Sequence, residues 1–345
     1  MWCDLKIGLI DVDGHNFPNL ALMRISSYHK ERGDAVEWWR EDGSYDTVYM
    51  SKIFSDGYTK PAPEPENAEK VIRGGSGYCI SVGEDGREHY DKSKENNLPS
   101  DMEKMFPDYS IYPQYDFAVA MTSRGCPRGC AFCHVAAKEG RCAVKVADVK
   151  DFYAGQKVIQ VIDPNIVACK DKAELFRQYR DTGAKITFNQ GLDIRLLTDA
   201  DIEAINGMRV EKLHFAWDNP RDRLEEKFAN FAKKYKRPSS PGVVYVLVGF
   251  NSTIEEDLYR IQTLWDMAYK PYVTVYDKLH ASRRVKDLQQ WCNFRKISLM
   301  VPNFYDYDGY TFQHERYLKK KQKKLEQKLQ EGNNNNGQSE AQAAP

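Results

Sequence analysis

Four things are scarce or missing in this 345-residue sequence. No apolar run approaches the ~20 residues that a membrane-spanning helix needs, so no membrane role is expected. Net charge is absent as well: 50 Lys and Arg balance 50 Asp and Glu. The whole molecule therefore exerts no general pull on nucleic acid or on an acidic partner, although local patches still can. The opening stretch "MWCDLKIGLIDVDG" lacks the cationic start and long apolar segment of a secretory leader. The expected compartment is the cytoplasm, where thiols stay reduced. Cysteine itself is sparse, at eight residues. Five of them (Cys3, Cys79, Cys142, Cys169 and Cys292) are scattered singly, as small buried hydrophobes are. A disulfide framework is not expected.

What is present reads as α/β. "LKIGLI" (5–10) is a short buried-strand pattern, a helix is predicted from Pro18 to Arg32 with Gly33 at its end, and 35–39 and 46–51 read as further strands. This alternation predicts a Rossmann-like sheet over residues 1–115, closed by a linker over 85–115. Residues 59–70 and 73–78 read as proline- and glycine-rich loops. From 116 to 311 the rhythm changes. Short apolar runs at 117–122, 158–162, 185–189, 212–217, 243–248 and 272–276 are separated by helix-compatible stretches such as 171–181, 199–207, 221–235 and 253–268. Six strand–helix units predict parallel strands and a partial (β/α)6 barrel, with chemistry at the C-terminal ends of the strands. Polar residues gather after those runs: Asp163 and Asn165, then Asn189, Gln190, Asp193 and Arg195, then Asp218, Asn251 and Asp277.

After the first run comes "TSRGCPRGCAFCHV" (122–135), in which Cys126, Cys130 and Cys133 are spaced Cys-x3-Cys-x2-Cys. Thiolates at this spacing suit soft metals and iron–sulfur clusters. Gly125 and Gly129 let the backbone wrap tightly enough for three sulfurs to serve one centre. Three protein ligands on a four-iron cluster leave one iron open, which marks a working site, as an open position does for catalytic zinc. A zinc knuckle with Cys142 or His134 as fourth ligand, or a fully ligated structural cluster, is the rival reading.

The cysteine loop after the first strand of a six-unit β/α region resembles the radical S-adenosylmethionine (radical SAM) superfamily, with Phe132 as the aromatic residue before the third cysteine. The resemblance spans roughly 117–305. It implies a [4Fe-4S] cluster on Cys126, Cys130 and Cys133, with the open iron chelated by S-adenosylmethionine. Reductive cleavage would release a 5′-deoxyadenosyl radical that abstracts hydrogen from a substrate the sequence does not name. The resemblance further implies a reducing partner such as flavodoxin or ferredoxin. It places the Phe132 backbone near the adenine and Asp163 near the amino group, although the family's common Gly-Gly-Glu motif is missing here. Gln190, Arg195 and Asp218 become candidates for the ribose and carboxylate, and Gly249 of "VLVGFN" for the segment that packs on the adenine. In the methylthiotransferase branch the N-terminal domain carries a second cysteine trio, for which this chain has only Cys3 and Cys79.

Asp13-x-His15 resembles the start of the Asp-x-His-x-x-Gly motif of cobalamin-binding domains, but Pro18 stands where that motif has glycine. "RGGSGY" (73–78) is loosely similar to their glycine-rich segment. The expectation is a degenerate cobalamin-binding-like domain that binds no cobalamin, as in bacterial radical SAM proteins of this layout. The plainer alternative is that Asp13 and His15 cap the following helix. The segment 312–345 reads as a basic helix and a low-complexity tail. Residues 314–330 carry seven Lys and Arg against two Glu, a pattern compatible with nucleic acid or with a solvated helix. A non-catalytic iron–sulfur or zinc protein that binds nucleic acid through this tail is the alternative to an enzyme.

Overall fold

A computed structural model describes residues 4–14, 16–56, 59, 61–84, 87–236, 240–312 and 322. The fold is mixed α/β, built on two parallel sheets. The first has the order β2-β1-β3-β4, from β1 (Lys6–Asp11), β2 (Ala35–Trp38), β3 (Tyr45–Ser51) and β4 (Ala68–Gly74). All its pairings are parallel. Side chains alternate across this sheet, as a strand's period of two requires. Ile7, Leu9 and Tyr49 pack on one face with Leu22 and Ile25 of α1 (Leu20–Glu31). Ile10, Val48 and Met50 pack on the other with Tyr45.

The start of α1 corrects one expectation. Its cap is Asn19, whose side chain accepts from the Ala21 and Leu22 N–H groups. Asp13 does something else: its carboxylate accepts from Ile53 N–H at 2.5 Å and from the Thr59 hydroxyl at 2.6 Å, fastening the loop after β3. His15 and Cys3 lie outside the described residues. The expected loop at 73–78 also gives way in part to β4, an edge strand whose polar Glu69, Lys70 and Arg73 hid it. Gly75, at φ +99°, then brings the chain against Lys52, where an added Cβ would sit 2.2 Å from the Lys52 carbonyl oxygen. The glycine-rich segment therefore serves close packing on the protein's own backbone.

Inside the expected linker lies an antiparallel pair, β5 (Ile80–Val82) with β6 (Glu88–Tyr90). It is followed by α2 (Ser100–Glu103), whose Met102 joins the first sheet's core. The rest wraps this region through polar anchors: Asp108 accepts from Ser26 and Lys30, and Tyr112 donates to Asp11 at 2.7 Å.

The second sheet has the order β14-β13-β12-β11-β10-β7. Its members, with the remaining short strands, are β7 (Phe117–Ala120), β8 (Ser123–Arg124), β9 (Val144–Lys145), β10 (Val158–Val161), β11 (Lys185–Phe188), β12 (Arg209–Ala216), β13 (Val243–Val248) and β14 (Lys270–Val275). β8 and β9 form a separate antiparallel pair that brackets the cysteine loop. The helices are α3 (Val135–Glu139), α4 (Lys172–Asp181), α5 (Asp199–Gly207), α6 (Glu225–Lys234), α7 (Ile254–Asp266), α8 (Arg283–Asn293) and α9 (Arg295–Met300). Among the described residues no helix is long and apolar enough to cross a membrane. The segment 312–345 lies outside the described residues except for Phe312 and Gln322.

The chain divides into two compact units: 1–216 with 223–244 and 267–269, and 217–222 with 245–266 and 270–345. In the first, Phe176 and Tyr179 of α4 meet Phe188 edge-on, and Phe215 packs among Phe228, Phe231 and Tyr269. The second is organised by a buried cation. Arg260 of α7 is 0% exposed, pairs with Asp257, and donates to the carbonyls of Trp217, Asp218 and Leu247. Removing one partner of such a pair leaves a buried charge uncompensated, which costs far more than the pair contributes net. Arg260→Met is expected to lower unfolding free energy by about 4 kcal/mol, and Arg260→Met with Asp257→Leu to recover part of that loss. Urea denaturation of both variants checks this; a loss under ~1 kcal/mol for the single variant would contradict it.

Candidate functional site

The site grows from the turn that follows β7. Thr122 and Ser123 are buried, and both face Asp163 at the end of β10, itself 3% exposed. One carboxylate oxygen accepts from Thr122 N–H at 2.9 Å; the other accepts from Ser123 N–H at 2.5 Å and from the Ser123 and Thr122 hydroxyls at 2.7 and 2.8 Å. Four donors on one side chain pin the first residues of the cysteine loop to the neighbouring strand. Burial pushes the Asp163 carboxyl up to about 6, while the hydrogen bonds from Ser123 and Thr122 pull the other way.

Beyond this anchor the loop closes on itself. Gly125, at φ +88°, passes so near Cys142 that an added Cβ would sit 2.1 Å from its carbonyl oxygen. Gly125 N–H donates to Glu139 at 3.1 Å, Cys126 N–H to Gly140 O at 3.1 Å, and Cys133 N–H to Cys130 O at 3.0 Å. Cys126 and Cys130 are half-buried and Cys133 is exposed, whereas Cys79, Cys169 and Cys292 are buried. The three sulfurs of the motif are thus the reachable ones, with Cys142, which is also exposed. Phe132 is half-buried between the last two cysteines.

The strand ends converge on a second carboxylate. Asp193 follows β11 in a turn fixed by Leu192 N–H donating to His214 O at 2.7 Å. The Asp193 side chain is 5% exposed and accepts from Arg128 at 2.8 Å and from Arg195 at 2.6 Å. Burial pushes its carboxyl up, but the Arg128 and Arg195 guanidiniums outweigh that and hold it below the ordinary value. Asn165, after β10, stands between this carboxylate and the loop: its amide lies 3.4 Å from the Cys126 sulfur and 3.5 Å from Asp193. β7, β10 and β11 run parallel, so all these residues sit at one edge of the sheet.

Of the residues expected from the sequence, Cys126, Asp163 and Arg195 are gathered in this network, with Cys130, Phe132 and Cys133 on its loop. Gln190 is exposed in the turn after β11. Asp218 and Gly249 belong to the second unit, where Arg260 holds the Asp218 carbonyl and Gly249 adopts φ +75°. Thr122, Ser123 and Arg128 escaped the sequence reading. The signal for Arg128 was a cation placed between two cysteines, where a loop needs a reason to carry charge.

Among the described residues no three Cys, His, Asp or Glu side chains converge on one point as the ligands of a single metal ion do. A cubane cluster asks for a different arrangement, one thiolate on each of three irons, so its ligands stand apart around the cluster. The donor set fits that demand in chemistry: three reachable thiols from one turn-rich loop. No protein-family model matches this chain, and no curated protein gives a significant match.

Asp163→Ala is expected to cost about 3 kcal/mol of unfolding free energy, because buried N–H and O–H donors lose their acceptor. The pH dependence has a definite sign. The folded state keeps the Asp163 proton up to about 6, while the unfolded chain releases it near 4, so stability falls as pH rises through that window. Urea titrations across pH should show that decline in the wild type and its loss in the variant; parallel curves would contradict it.

Proposed function

We propose that this chain is a radical SAM enzyme that uses a 5′-deoxyadenosyl radical to abstract hydrogen from its substrate. The observation that carries the reading is the Cys-x3-Cys-x2-Cys loop at the end of a parallel strand, fastened by Asp163 to the next strand and by Asn165 and Arg128 to the turn after the third. In this reading the second sheet is a partial (β/α)6 barrel and the first a Rossmann-like domain. Cys126, Cys130 and Cys133 would hold a [4Fe-4S] cluster. When bound, cluster and S-adenosylmethionine together supply reductive cleavage of the sulfonium bond and a carbon radical.

The protein's own part is orientation and exclusion. Asp163 fixes where the loop leaves β7, so the cysteines start from a rigid edge. Arg128 and Arg195, both partly exposed, compensate the buried Asp193 carboxylate, and the Arg128 pair ties the cysteine loop to the turn after β11. By resemblance, and by resemblance alone, Phe132, Asp163, Gln190, Arg195, Asp218 and Gly249 are assigned to S-adenosylmethionine. Asp163 is already saturated by Thr122 and Ser123, which favours a supporting role for it over direct contact. A reducing partner of the flavodoxin or ferredoxin kind and a cytoplasmic setting belong to the same reading. Cobalamin does not, because Asp13 and the 73–78 glycines are engaged with the chain's own loops.

The test is anaerobic reconstitution with iron and sulfide, then reduction in the presence of S-adenosylmethionine. Wild type and Cys142→Ala should both bind iron and form 5′-deoxyadenosine. Cys126→Ala, Cys130→Ala and Cys133→Ala should each fall to background. Loss of iron in Cys142→Ala to the same extent would replace the open-iron site with a four-cysteine one.

A further inference from the structure

The residue after the third cysteine is His134, and its environment bears on the fourth metal position. An imidazole next to three thiolates completes a Cys3His set, a closed arrangement familiar for zinc, and imidazole also ligates iron in some clusters. Here that imidazole is engaged elsewhere. His134 Nε2 lies 3.2 Å from Glu88 Oε2 on β6, and the other Glu88 oxygen accepts from the Ser55 hydroxyl. The Tyr90 ring lies 6.1 Å from the imidazole, bounding it on the same hairpin. Ser55 is itself buried, on the loop that Asp13 fastens through Ile53, Phe54 and Thr59. Two sets of polar contacts, joined through the backbone of residues 53–55, therefore run from the end of β1 to the edge of the cysteine loop, all within the first compact unit.

We propose that Glu88 is a positioning residue that holds His134 out of the metal's open position. With Glu88 present, the imidazole is committed to the β5–β6 hairpin and the site offers three thiolates. Without it, the imidazole is released one residue from Cys133 and closes the site. This rests on the iron–sulfur reading above. It also gives the 52–59 loop and the hairpin a task that the sequence did not suggest: keeping a vacancy open at a centre they do not ligate.

The full chain is reconstituted anaerobically with iron and sulfide as wild type, Glu88→Ala and Glu88→Ala/His134→Ala, and the reduced proteins are examined by pulsed EPR. A strong imidazole nitrogen coupling should appear in Glu88→Ala, be lost in the double variant and be missing from the wild type. Ser55→Ala loosens Glu88 without altering the hairpin and should give the same coupling at lower amplitude, which covers the case of a poorly folded Glu88→Ala. If Glu88→Ala and Ser55→Ala bind iron as the wild type does and show no such coupling, the positioning role is overturned. A coupling already present in the wild type overturns it too. Wild type that takes up no iron overturns the proposed function and this inference with it.

Discussion

The Asp163 carboxylate is the fixed point of the candidate site in the first unit. A carboxylate that is 3% exposed needs donors, and the chain supplies four of them from two consecutive residues, Thr122 and Ser123. Those residues immediately precede the cysteine loop, so satisfying Asp163 decides where the loop begins. From there each step is constrained locally. Gly125 allows the backbone to meet Cys142, the Cys126 N–H finds Gly140, and Asn165 reaches the Cys126 sulfur from the same strand end as Asp163.

Much of this was legible in the sequence, for identifiable reasons. β10, β11 and β13 are short, mostly buried apolar runs in a parallel sheet, the pattern that periodicity reports best. The cysteine loop announces itself by residue type. β4 did not, because an edge strand with Glu69, Lys70 and Arg73 partly exposed reads as a loop. Arg260 was hidden for the opposite reason. Asp257 and Arg260 at i and i+3 look like a solvated helix pair, and nothing local marks them as buried among the carbonyls of Trp217, Asp218 and Leu247. Hydrogen bonds between residues far apart in sequence, such as Arg128 to Asp193 or His134 to Glu88, have no local signature at all.

The N-terminal region shows how a motif can serve architecture. Asp13 has the residue type and place of a ligand-presenting acid, yet its oxygens are used by the 53–59 loop. The glycines of "RGGSGY" provide close approach, and what approaches is the backbone of residues 52–54. Both features hold the segment that carries Ser55 and, through Glu88, meets His134. A scaffold that presents a cofactor and a scaffold that braces a neighbouring loop make the same demands on such residues: a fixed acid and a tight turn.

The central claim is a cluster with one iron that the protein does not ligate. Mössbauer spectra of the reconstituted protein, recorded before and after S-adenosylmethionine is added, test it most directly. The account predicts that a single iron of the cluster changes its isomer shift when S-adenosylmethionine binds, while the three held by Cys126, Cys130 and Cys133 keep theirs. Spectra that are identical with and without S-adenosylmethionine would contradict it.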